Sequence, residues 1–145
     1  MNQITVEPVG RVESDFAGTD DGSGATLREH PATIVVFDEY AEALTNFDER
    51  VGTGEDALLD VVFYLHGVDG EDVELASESS RGLTPAGVGG VFTRRTYRRP
   101  NKLGLTTVRV VERQGLRLRV EGLDALDGTP VLDIKPHVDW TEHLG

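Results

Sequence analysis

The sequence predicts a mainly β fold: a single small β-barrel domain over residues 1–145 with one short helix. Three observations predict it. Runs of strand length rich in Val, Ile, Leu and Thr recur along the chain, glycine-containing turns separate them, and only one stretch carries helical periodicity. Many short strands in one domain favour closure, because a closed sheet leaves no unpaired edge.

The elements follow in order. Ile4 to Val12 alternates loosely and reads as a first strand continuing past Gly10. Thr19 to Ala25, with its Asp-Asp-Gly-Ser-Gly, reads as a loop, since no second core precedes it. Thr33 to Phe37 is a short β-branched strand. Tyr40, Leu44 and Phe47 then fall at i, i+4 and i+7, one helical face behind a candidate Asp38 cap, which predicts a helix between Asp38 and Phe47. Val51 to Asp56 is a turn, and Leu58 to Leu65, interrupted only by Asp60, suits a buried strand. Val73 to Ala76 reads as a further strand and Arg81 to Gly90 as a glycine-rich loop. Leu105 to Val111 and Leu116 to Val120 form a hairpin around Arg113-Gln114-Gly115, and Thr129 to Ile134 ends the pattern. In the second hairpin strand Leu116, Leu118 and Val120 share one face, while Arg117 and Arg119 point the other way.

Composition narrows the function classes. At 145 residues the chain can bury a real core. No apolar run approaches the ~18 residues that span a bilayer. The N-terminus has neither a basic region nor an apolar run, so no signal peptide and no membrane partner are expected. The absence of cysteine excludes disulfides, thiolate metal sites and cysteine nucleophiles, and points most simply to the cytoplasm. Four histidines, at 30, 66, 137 and 143, show no ligand spacing, so no metal is expected. There is no P-loop, no dinucleotide fingerprint and no nucleophile elbow.

Charge is distributed unevenly. Fourteen basic residues, only two of them lysine, face twenty-six acids for a net charge of −12. A carboxylate-rich, lysine-poor surface stays hydrated where salt screens ordinary repulsion, which points to a salt-adapted (halophilic) setting. Yet from Arg81 to Val111 there are seven basic residues and no acid. A solvated basic face is the ordinary reading of a charge run. In so acidic a chain, clearing every carboxylate from one stretch is what a polyanion-binding surface requires.

Two segments stand out. Gly90 to Thr106 packs that basic cluster beside a rigid Pro100-Asn101 turn, and Gly122 to His137 follows one hairpin later. The pattern Gly90-Val91-Phe92, Arg95, Arg99-Pro100-Asn101, Gly104-Leu105, then Leu123 to Pro136 with Asp127-Gly128-Thr129-Pro130-Val131, resembles the TsaA-like or TrmO family of β-barrel tRNA methyltransferases. The family reads Gly-Val-Phe-Ala-Thr-Arg-Ser-Pro-x-Arg-Pro-Asn-Pro-Ile-Gly-Leu-Ser, then Leu-Asp-x-x-Asp-Gly-Thr-Pro-Val-x-Asp-Ile-Lys-Pro-Tyr. Upstream, Gly10 to Ser14 looks like its first strand, and Phe63-Tyr64-Leu65-His66 like the strand ending in its His. Where the family has Pro-Arg-Gln this chain keeps only Arg28, and Lys102 and His137 stand for its Pro and Tyr.

The resemblance implies binding of S-adenosyl-L-methionine and methylation of N6 in threonylcarbamoyladenosine beside a tRNA anticodon, in a homodimer. By position it places His66, Arg95, Leu105, Leu123, Asp124, Ala125 and Leu126 around the cofactor, and Asp124, Asp133 or a backbone carbonyl are the candidate acceptors for the proton lost from N6. Arg94, Tyr97, Arg98, Arg99 and Lys102 are the candidate tRNA contacts, Tyr97 as a stacking aromatic. An alternative reading is a non-catalytic RNA- or nucleotide-binding barrel, which the missing Pro-Arg-Gln favours and the intact Asp-Gly-Thr-Pro run opposes.

Overall fold

Eight strands form in the computed structural model, which describes residues 2–15, 28–66, 73–77 and 88–141. They are β1 (Gly10–Ser14), β2 (Ala32–Val36), β3 (Leu58–Tyr64), β4 (Ala76–Ser77), β5 (Gly89–Gly90), β6 (Leu103–Gln114), β7 (Arg117–Glu121) and β8 (Pro130–Pro136). Six of them close into an antiparallel barrel in the order β1-β2-β7-β6-β3-β8, and β4 and β5 pair separately as a small ribbon. The predicted barrel is thus the observed one.

Side-chain alternation builds the core. Along β7, Leu118 and Val120 are fully buried, while Arg117 and Arg119 face solvent. Leu59, Val61 and Phe63 of β3 meet Val108, Val110, Ile34 and Val12 inside. Strand β6 is long enough to serve two neighbours: Leu103 to Arg109 pairs with β3 and Arg109 to Gln114 with β7, the register shifting between Val110 and Glu112. A bulge of that kind lets one strand turn the corner of a closed sheet. A second shift, between Val62 and Phe63, bends the β3–β8 pair.

Three elements differ from the sequence reading. The first strand begins only at Gly10, because Pro8 lacks a donor and β2, its partner, ends at Val36 opposite Gly10; Ile4 and Val6 remain exposed. The single predicted helix is a 3-10 helix, Asp38–Leu44, followed by a separate α-helical turn, α1 (Phe47–Arg50). Asn46 separates them in the left-handed region (φ 59°), and neither start has a side-chain cap, so Asp38 caps nothing. Leu44 and Phe47 are nonetheless both buried, and Tyr40 packs beside them, so the periodicity marked the core-facing residues correctly. A further 3-10 turn, Val91–Thr93, anchors the basic segment through buried Val91. The loops expected at Thr19 to Ala25 and over most of Arg81 to Gly90 lie outside the described residues.

Because all neighbours are antiparallel, β1, β3 and β7 end at the rim where β2, β6 and β8 begin. This upper rim carries residues 14–15, 28–31, 64–66, 94–103 and 122–129. The lower rim is plugged by Leu44 and Phe47, with Arg113 stacked over the Phe47 ring at 5.7 Å and paired to Asp48 at 3.3 Å.

Candidate functional site

The Gly122 to Thr129 segment crosses the upper rim from β7 to β8, pinned from below by buried Leu123 and Ala125. Its carboxylate, Asp124, is held twice. Thr106 Oγ1, on the inward face of β6, donates to Oδ1 at 2.5 Å, and Arg28 Nη2 pairs with Oδ2 at 3.0 Å. Arg28 thereby reaches across 96 residues of sequence to fasten this loop.

His66 follows β3 onto the same rim. Thr129 Oγ1 lies 3.2 Å from His66 Nδ1 and donates to the Leu126 carbonyl at 2.6 Å. A hydroxyl has one proton, and the Leu126 carbonyl takes it. With that proton committed, Nδ1 is the donor to Oγ1, and Nε2 faces Gly128 on the other side of the ring. Thr129 is 2% exposed, so neither partner bond exchanges readily with water. Gly128 itself sits at φ 84°, a conformation that disfavours any side chain there.

Arg95 is exposed, and its Nη2 donates to the Leu105 carbonyl at 2.6 Å. This bond ties the basic segment to β6 and holds the guanidinium over the outer wall, where the Leu105 side chain is also exposed. The lysine of the Pro100-Asn101 turn occupies the left-handed region (φ 52°). Its carbonyl accepts from Leu65 N at 2.8 Å, so the turn is bonded to the residue just before His66.

The structure thus gathers His66, Leu123, Asp124, Ala125 and Leu126 on one rim, with Arg95 and Leu105 joined on the adjoining wall. Asp133 stands apart from Asp124. It lies on the outer wall of β8 in a row with Val62 and Leu105, pairs with Lys135 at 3.1 Å, and accepts from Ile134 N. Thr106, Thr129 and Arg28 are site residues that sequence reasoning left unassigned; only the Arg28 position carried a signal.

The basic segment is cleared of acids in sequence but not in space. Glu74 comes down beside it, 3.0 Å from Arg98 Nη1 and 3.9 Å from Arg94 Nη2. Arg99 Nη1 donates into its own loop, to the carbonyls of Arg94 at 2.7 Å and Thr96 at 3.3 Å. Tyr97 is half-buried; the exposed aromatic of the segment is Phe92. Among the described residues no three His, Asp or Glu side chains gather as a metal set, and no helix is long and apolar enough to cross a membrane.

Known proteins resemble this chain in sequence and in fold. The profile of the tRNA-methyltransferase O N-terminal domain matches residues 20–143. An S-adenosyl-L-methionine-binding protein of Archaeoglobus fulgidus is 34% identical over 148 residues, covering 97% of this chain and 96% of that protein. A tRNA (adenine(37)-N6)-methyltransferase of Mus musculus is 47% identical over 49 residues, 34% of this chain and 11% of that protein. The crystal structure of TrmO from Pseudomonas aeruginosa superposes with a TM-score of 0.68 at 28% identity, covering 99% of this chain. The chain spans 60% of that solved chain. With the barrel, the rim and the matched segments in agreement, the chain belongs to the family of the tRNA-methyltransferase O N-terminal domain.

Proposed function

We propose that this domain is an S-adenosyl-L-methionine-dependent tRNA methyltransferase that methylates N6 of threonylcarbamoyladenosine beside the anticodon, working as a homodimer. The observation that carries the reading is the bonded set at the upper rim, His66–Thr129–Leu126 and Arg28–Asp124–Thr106, with Arg95–Leu105 on the adjoining wall. Each fixes a polar group by a partner from a distant strand, which is the preorganisation a transfer site needs.

The residues suit the cofactor. A sulfonium-borne methyl group supplies the chemistry. Arg95, tethered by one nitrogen and otherwise exposed, offers donors to a carboxylate. His66 Nε2 and the backbone of Leu123 to Leu126 offer acceptors and an apolar lining. Methyl transfer is an in-line displacement, so the protein's task is alignment and exclusion of water. Of the two candidate proton acceptors, Asp124 sits on the rim but has both oxygens engaged, while Asp133 lies on the outer wall in the Leu105 row. The exposed Leu103 and Leu105 side chains on that wall are where a second subunit would cover the site. The cofactor and a tRNA partner are supported by the family and by the names its relatives carry, while the threonylcarbamoyl group and the homodimer rest on the motif resemblance.

The second reading, a binding protein without turnover, draws on Asp124, whose two oxygens are already engaged by Thr106 and Arg28. Mass spectrometry of tRNA nucleosides incubated with protein and cofactor separates the two. A new methyl on threonylcarbamoyladenosine supports the enzyme; cofactor binding by calorimetry without methyl transfer supports the binder. Arg95→Ala should weaken cofactor binding by about 1.5–3 kcal/mol, the worth of a hydrogen bond to a charged group. Arg50→Ala, on the opposite rim, should leave it unchanged; equal effects would remove Arg95 from the site.

A further inference from the structure

A groove of about 630 Å³ opens on the upper rim behind the Asp127-Gly128 turn, between the ends of β1 and β2 and the outer face of β7. That volume suits a ligand of nucleotide size. Arg11, Glu13, Thr33 and Arg119 form its wall, and Asp127 and Gly128 its floor. The far side of Gly128 is His66: a Cβ on Gly128 would lie 3.8 Å from His66 Nε2. One turn of backbone therefore separates the groove from the cofactor rim.

Its charges are arranged rather than scattered. Glu13 gives one carboxylate oxygen to Arg11 at 2.6 Å and the other to Arg117 at 2.5 Å, and the Arg117 bond chiefly holds its carboxyl below the usual range. Asp127 Oδ1 accepts from Ser14 N at 2.9 Å, which fixes the turn as a floor. Glu112, opposite Arg119 on β6, is bonded by Gln114, and Glu121 lies opposite Arg109. Arg119 makes no ion pair among the described residues and is exposed. Two guanidiniums thus saturate one carboxylate and a third, Arg119, stands beyond Thr33 in the same row, while the second Asp127 oxygen and Asp15 remain as acceptors at the other end.

We propose that this groove is a nucleotide subsite for the RNA chain next to the methylated base, with Arg119 and Arg11 on a phosphate and the Asp127–Asp15 end accepting from sugar hydroxyls. The proposal rests on the tRNA reading above and extends it to a face of the barrel outside the Gly90 to Thr106 segment. A mixed lining is what a nucleotide demands: donors for its phosphate, acceptors for the 2′-hydroxyl that marks RNA.

The test uses the full chain and an anticodon stem-loop RNA, with its DNA counterpart as comparison. Binding is followed across a salt series for wild type, Arg119→Ala, Arg119→Glu and the lower-rim control Arg50→Ala. One phosphate contact fewer should lower the slope of log affinity against log salt by about 0.7–0.9 in Arg119→Ala. Arg119→Glu should weaken binding further, the RNA preference over DNA should persist in Arg50→Ala, and cofactor affinity should stay at the wild-type value throughout. Wild-type RNA binding and methylation with an unchanged slope in both Arg119 variants would overturn the subsite alone. A loss of cofactor affinity in Arg119→Ala would assign the groove to the cofactor instead. No RNA binding by wild type would overturn the tRNA reading and this proposal together.

Discussion

Replacing Gly104 with alanine should be among the most damaging single-methyl changes in this protein. Gly104 lies opposite Phe63 on the β3–β6 ladder, on the inward face. A Cβ there would sit 2.4 Å from Phe63 Cε2, 2.5 Å from Cζ and 2.8 Å from Cδ2. Ordinary carbon contacts are about 3.5–4.0 Å, so three ring atoms are overlapped by about an ångström each. Phe63 is 2% exposed and sits at the β3–β8 bulge, so the ring has little room to swing away and the strands must part instead. Overpacking of this kind costs about 1–3 kcal/mol. In a urea titration the midpoint should fall by about 1 M with an unchanged slope. The next residue supplies the carbonyl that holds Arg95, so cofactor affinity should fall as well. The cause is isolated by Phe63→Leu, which removes the clashing ring: adding Gly104→Ala to Phe63→Leu should cost much less than adding it to wild type. Equal costs in both backgrounds, or a wild-type midpoint for Gly104→Ala, would refute the steric argument.

Two further substitutions probe the rim. Thr129→Val keeps the shape but strips the hydroxyl joining Leu126 and His66; stability should drop by about 1–3 kcal/mol and cofactor binding should weaken in calorimetry, whereas Thr129→Ser should retain both. Lys102→Pro restores the family's residue yet should destabilise the chain by more than about 1 kcal/mol in thermal unfolding, because proline cannot reach φ 52° and removes the N–H that Arg99 accepts; Lys102→Gly should be at least as stable as wild type.

The barrel was legible wherever alternation was written into the residues. Arg117 and Arg119 against Leu118 and Val120 declare the two faces of β7 without reference to any partner. Ile4 and Val6 alternate as convincingly, but β2 has ended before it reaches them, and no local pattern reports the length of a neighbour. The helix failed differently. Its spacing named Leu44 and Phe47 as core residues, while the backbone joining them broke at Asn46, since burial fixes where side chains end rather than the path between them. The site was legible as two segments and illegible as a set of bonds. His66 meets Thr129 because β3 pairs with β8, and Arg28 meets Asp124 because β2 pairs with β7, so strand pairing joins residues 63 and 96 positions apart. Asp124 and Asp133 looked equivalent in sequence; strand parity puts the second on the outer wall.

The same distinction sorts the arginines proposed to face tRNA. Glu74 lies against Arg98 and Arg94, but its side chain and that of Arg98 are each at least one-third exposed. Pairs so exposed are worth about 0–1 kcal/mol, because water and salt compete for both partners. An arriving phosphate gives a guanidinium two short charge-assisted bonds, so it can displace the carboxylate at little cost. Glu74 then acts as a placeholder that keeps Arg98 extended rather than as a neutralising acid. Arg99 cannot be exchanged in this way. Its bonds run to the carbonyls of Arg94 and Thr96, inside the loop that presents the others, and turning it toward RNA would leave those carbonyls without their donor. On the proposed tRNA reading Arg98 is therefore the arginine of this segment placed to take a phosphate, whereas the Arg94 side chain is mostly buried and Arg99 shapes the loop that holds both.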